Sequence, residues 1–223
     1  MNSLAKPVSK LPDVGTTIFT VMSALASEQG ALNLSQGFPD FDGPEALLQA
    51  VNSHMRSGQN QYPPMAGVAA LREAIAAKVS DLYELACNAD TEITVTAGAT
   101  EALFCAIAAV VHAGDEVIVL DPAYDSYDPV IRLQGAVPVH VSLMAPAYRI
   151  DWDRIEAAIT ANTRLLILNS PHNPTGMVMD ESDIAALSAL CAKYDIYLIG
   201  DEVYDCLLYT SPSPRDRTRS RMP

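Results

Sequence analysis

Glu116-Val-Ile-Val-Leu120 sets four apolar residues in a row, with no polar residue alternating between them. A strand patterned this way is buried on both faces, the habit of parallel sheets covered by helices. The pattern returns at Leu165-Leu-Ile-Leu168 and again at 196–199, while Glu92-Ile-Thr-Val-Thr96 and 137–141 read as further short strands. Between them run helical patterns, from Ala99 to about His112 and then over 128–133, 152–160 and 181–194. Strand and helix alternate at lengths that require parallel crossovers. The fold class is therefore α/β, with a mostly parallel sheet and helices on both faces.

Upstream, Ile18, Val21, Met22 and Leu25 share one face of a helix over 18–28, and Gly30 is placed to stop it. A second helical pattern runs over 44–54, with Ala46, Leu47, Ala50 and Val51. A turn-rich segment, 57–67, precedes a third helix over 68–82, with Val68, Leu71, Ile75 and Val79.

Composition narrows the function classes. The 223 residues are 49% hydrophobic and 18% charged, enough to bury a core, which excludes a wholly disordered or collagen-like chain. A net charge of −13 argues against a broad phosphate-backbone binder, so no nucleic-acid partner is expected. No apolar run is long enough to span a membrane, and 1–10 lacks the apolar core of a secretory signal. Cys87, Cys105, Cys191 and Cys206 show no CxxC spacing, and His54, His112, His140 and His172 are scattered. These features point to reduced thiols in a cytoplasmic protein with no metal site.

In open parallel sheets, ligands bind beyond the carboxyl ends of the strands, so the residues following each strand carry the functional signal. Gly98-Ala99-Thr100-Glu101 is a glycine turn opening a helix; it suits an anion such as phosphate and is also ordinary α/β punctuation. Asp121-Pro-Ala-Tyr124-Asp-Ser-Tyr127 places a tyrosine either to stack on a planar ligand or to fill its own loop. Asn169-Ser-Pro-His-Asn173-Pro174-Thr-Gly176 supplies two amides in a run stiffened by proline. Gly200-Asp201-Glu202-Val203-Tyr204 puts a carboxylate at a buried strand end, where it requires a cation or several donors. There is no GxxxxGK[ST] for a nucleoside triphosphate and no GxGxxG for a dinucleotide, which counts against a nicotinamide enzyme.

Taken together, these runs resemble the class I/II aminotransferases of the fold-type-I pyridoxal-phosphate family, especially its methionine and kynurenine/glutamine transaminase branch. The resemblance covers residues 9–205. It rests on Lys10-Leu-Pro-Asp-Val-Gly-Thr-Thr-Ile-Phe19, Leu34-Ser-Gln-Gly-Phe-Pro-Asp-Phe41, Asn60-Gln-Tyr-Pro-Pro64, Thr94-Val-Thr-Ala-Gly-Ala-Thr-Glu-Ala102, the NSPHNPTG run of 169–176 and Asp201-Glu-Val-Tyr204. The resemblance implies a three-layer αβα domain that binds pyridoxal 5′-phosphate and, in a homodimer, moves an amino group from an amino acid to a 2-oxo acid. It implies that Asp201 meets the ring nitrogen, that Asn173 and Tyr204 donate to the ring oxygen, and that Tyr124 stacks on the ring. The N–H groups of Ala99 and Thr100 would hold the phosphate, with Tyr62 reaching it from the neighbouring subunit. Gly37 and Asn169 would meet the substrate carboxylate.

The chain also departs from the family pattern. The family's Schiff-base lysine lies a few dozen residues past the Asp-Glu-Val-Tyr run, and Lys6, Lys10, Lys78 and Lys193 are the only lysines here. No catalytic lysine is therefore assigned, and the 223-residue chain is expected to be inactive. Residues 206–223 hold four arginines against one aspartate and resemble the translation of a sequencing-library transposase adapter rather than any family continuation. The expected organisation is an N-terminal segment, 1–40, that packs with a small domain, an incomplete cofactor-binding large domain, 41–205, and a non-native tail, 206–223. Two other readings stay open: a related pyridoxal-phosphate lyase on the same cradle, and a non-catalytic sensor domain.

Overall fold

The computed structural model describes residues 8–37, 39 and 41–209. Lys6 and most of the 206–223 tail lie outside them. Four strands, β1 (Glu116–Asp121), β2 (Val137–Ser142), β3 (Thr163–Asn169) and β4 (Tyr197–Asp201), form one sheet in the order β2-β1-β3-β4, and every pair is parallel. Chain order differs from spatial order because β1 sits between β2 and β3. In register, Ile118 lies between Val139 and Leu166, and Asn169 lies beside Asp201.

Successive side chains of a strand point to opposite faces, and the two central strands use this to build two cores. Val117, Val119, Leu165 and Ile167 face one way, against Leu103 and Ile107 of α4 (Ala99–Val110) and Tyr127, Val130 and Ile131 of α5 (Tyr127–Leu133). Ile118, Leu120, Leu166 and Leu168 face the other way, against Ile155 of α6 (Trp152–Ala158) and Leu187 and Leu190 of α7 (Glu181–Tyr194). The result is three layers, αβα. Each fully buried Ile or Leu here contributes about 1.5–3 kcal/mol.

Three N-terminal helices precede this sandwich: α1 (Ile18–Glu28), α2 (Glu45–Arg56) and α3 (Ala69–Tyr83). Many of their apolar positions, among them Leu47, Val51 and Leu71, stay exposed, Phe19, Ile75 and Val79 are half-buried, and the one residue they bury is Arg72. Arg72 reaches back to the carbonyls of Gly67 and Ala89 and to the Asp90 carboxylate, so it ties the turns on either side of α3 together.

The strand expected over 92–96 is not formed. A strand exists by its ladder, and among the described residues this segment has one backbone bond to a distant part of the chain, from Val95 N–H to the Ala66 carbonyl (3.0 Å). That contact fixes Gly67, which has φ +98°; a Cβ there would lie 2.7 Å from the Val95 Cβ. A short 3-10 turn, Asp205–Tyr209, spans the junction between the 41–205 segment and the expected tail. Among the described residues no helix is long and apolar enough to cross a membrane.

Candidate active site

At the carboxyl edge of the sheet, four segments converge on a cavity of about 190 Å³. It is lined by Ala99 and Thr100 from the start of α4, Tyr124 from the turn after β1, Asn169 and Asn173 from the end of β3 and its loop, and Asp201 and Tyr204 from the end of β4. Leu103 and Val203 complete the wall. Seven of the residues singled out in the sequence thus share one space, although they are spread over about a hundred positions.

Hydrogen bonds link β3 and β4 at this edge. Asn169 donates from Nδ2 to the Asp201 carbonyl (2.7 Å), and its Oδ1 accepts the Asn173 backbone N–H (2.6 Å). Asn173 in turn donates from Nδ2 to the Tyr204 hydroxyl (3.3 Å). Asn169 is therefore committed to holding the edge together while it lines the cavity.

Asp201 is 9% exposed. Its Oδ2 accepts the Tyr127 hydroxyl at 2.6 Å and its Oδ1 the Val203 N–H at 3.3 Å; among the described residues it forms no ion pair. Sequence reasoning assigns Tyr127 no role. A tyrosine three residues past Tyr124, on the opening turn of a helix, was the available signal. Burial and the Asp201 carboxylate push its phenol well above the usual tyrosine range, so it stays a donor. Tyr124 and Tyr127 meet edge to face, with ring centres 5.8 Å apart. Beside them, burial, then Asp205 and Asp201, raise the Glu202 carboxyl.

On the other side, no side chain caps the N-terminus of α4, and Gly98 enters it at φ +87°. Such an end presents backbone N–H groups and the positive pole of the helix to an anion. Thr100 and Tyr124 also border a wider groove shared with Thr17, Phe19, Thr20 and Gln36. Gly37 is exposed next to that groove rather than in the cavity, and Tyr62 is fully exposed at 100%, apart from it. Neither joins the cavity within this single chain. Among the described residues no lysine lines it; Lys193 sits in the last turn of α7, at the opposite edge of the sheet, paired with Glu156 at 2.6 Å.

Fold and site together define an α/β ligand-binding domain whose cavity has an acidic side and an anion-accepting side. The family model for aminotransferase class I and II matches residues 29–221, and the chain belongs to that family. Over 199 residues it is 55% identical to the methionine aminotransferase of Escherichia coli (strain K12), covering 89% of this chain and 52% of that protein. It is 33% identical over 212 residues to kynurenine–oxoglutarate transaminase 3 of Homo sapiens, covering 90% and 47%. The solved N-succinyldiaminopimelate aminotransferase of Mycobacterium tuberculosis superposes with a TM-score of 0.85 at 44% identity, covering 90% and 53%. The chain spans about half the length of these relatives.

Class I and II aminotransferases depend on pyridoxal phosphate. The residues present fit that group. A buried carboxylate with no cation beside it among the described residues shares one small cavity with a helix N-terminus that carries no side-chain cap, as suits a ligand with a cationic ring nitrogen and a phosphate.

Proposed function

We propose that this chain is the cofactor-holding part of a pyridoxal-phosphate aminotransferase. The whole protein moves an amino group from a methionine-like, aromatic or glutamine-like amino acid to a 2-oxo acid, as a cytoplasmic homodimer. The observation that carries this reading is Asp201, buried at the end of β4 and aimed by Tyr127 and Val203. Asp201 would pair with the ring nitrogen, Asn173 and Tyr204 would donate to the ring oxygen, and Tyr124 would cover one face. The N–H groups of Ala99 and Thr100 would hold the phosphate. When bound, the cofactor would supply a reactive aldehyde and an electron-accepting ring, and Asp201 would keep that ring cationic.

Tyr62, exposed in one chain, is the residue we assign to a neighbouring subunit, and Gly37 and Asn169 to the substrate carboxylate. The preference for methionine-like and aromatic donors is drawn from the likeness to methionine aminotransferase and kynurenine–oxoglutarate transaminase, and that for glutamine-like donors from the family resemblance. Residues 1–40 and 41–205 then act as a packing segment and the main body of the cofactor domain.

The deciding experiment is Asp201→Asn in the full-length protein. Removing a preorganised charge from a site of this kind lowers turnover by about 10²–10³-fold. We expect that loss together with weakened cofactor binding and unchanged circular dichroism. Near-normal turnover would remove Asp201 from its role.

A further inference from the structure

His140 on β2 faces a carboxylate at each ring nitrogen. Nδ1 lies 2.9 Å from Asp121 Oδ1 and Nε2 lies 3.2 Å from Asp128 Oδ2. Asp121 is the last residue of β1 and Asp128 the second of α5, so one ring ties together the two ends of the turn 122–127. That turn carries Tyr124, which lines the cavity, and leads into Tyr127, which donates to Asp201. An imidazolium has two N–H donors and satisfies both carboxylates. A neutral ring has one, and turns a lone pair toward the other carboxylate.

We propose that His140 is a positioning residue for the cavity: doubly protonated, it clamps the 121–128 turn and sets where Tyr124 and Tyr127 stand. As a statement about cofactor binding, this rests on the cavity being the pyridoxal-phosphate site. The charged groups facing His140 are Asp121 from β1 and Asp128 from α5. Arg132, one turn further along α5, is engaged by Asp13 at 2.7 Å, and β2 itself carries no other titratable side chain. Partial burial disfavours the charged ring, but the two carboxylates outweigh it and raise its pKa. A raised folded value means that the clamp is complete below the ordinary histidine pKa and is released as pH rises through the raised one.

The test follows ring resonances of the 223-residue chain by NMR across pH, in wild type and His140→Gln. Tyr124 and Tyr127 are expected to shift with the His140 midpoint, and those shifts should vanish in the variant. Over the same midpoint the dissociation constant for pyridoxal phosphate should rise about twofold to fivefold beyond the change seen in His140→Gln, the scale of a part-exposed ion pair. Should His140→Gln fail to fold, Asp128→Asn serves instead; it should lower the His140 midpoint and shrink the tyrosine shifts. Tyrosine rings indifferent to the His140 titration would overturn the proposal. A wild-type chain that binds no pyridoxal phosphate while its tyrosines still follow His140 would uphold the clamp and defeat the cofactor reading.

Discussion

At Tyr127 a buried phenol meets a buried carboxylate across 2.6 Å, and neither group has an ion-pair partner among the described residues. A hydrogen bond to a charged group is worth about 1.5–3 kcal/mol, more than a neutral one, and removing its donor leaves the carboxylate undersupplied. Tyr127→Phe is therefore expected to lower the unfolding free energy by about 1.5–3 kcal/mol, read from urea denaturation. An unchanged midpoint would make the phenol a bystander. Most of the cavity lining was legible at this scale, since Asp201, Asn173, Asn169 and Tyr124 stand in short, distinctive runs directly after strands. Tyr127 was not, because its partner lies 74 positions away and nothing local marks the pairing.

The secondary-structure elements were read well where packing and local chemistry agree. α1 and α7 fall at the expected bounds, and α7 shows why: Asp180 caps it in a reciprocal box with Asp183. The segment 92–96 was misread because strand character belongs to a pair, and residue type cannot reveal a missing neighbour. The α7 cap also yields a pH prediction. The Ser182 hydroxyl, then Arg149 at 2.5 Å, then the Asp183 backbone N–H, hold the Asp180 carboxyl at about 2. A depressed folded value contributes stability that is fully present above the ordinary aspartate pKa of about 3.9 and is lost as pH falls through the folded one. Wild type and Asp180→Asn should therefore differ in urea midpoint at pH 7 and converge as the pH approaches 2. A gap that persists in acid would show that the charge is irrelevant to the cap.

For the molecule as a whole, the three-layer sandwich and its cavity edge followed from strand–helix alternation. The exposed apolar positions of α2 and α3 did not, because an amphipathic pattern says that a face wants covering and not what covers it. Tyr62 and Gly37 stand outside the cavity; on the proposed reading their partners would belong to a second chain and to substrate. Catalytic completeness is also a property of this scale. With Lys193 held by Glu156 at the far edge, borohydride treatment of the 223-residue chain with pyridoxal phosphate should leave no stoichiometric lysine adduct by mass spectrometry. One fully labelled lysine would contradict this.

The outer edge of β4 is open to a further strand. β4 pairs with β3 alone among the described residues, Tyr197 and Leu198 are exposed along it, and its last residue is Asp201. A strand zipping onto that free flank would seal the seam and, in the same stroke, immobilise Asp201. Closing the architecture and tuning the chemistry would then be a single event.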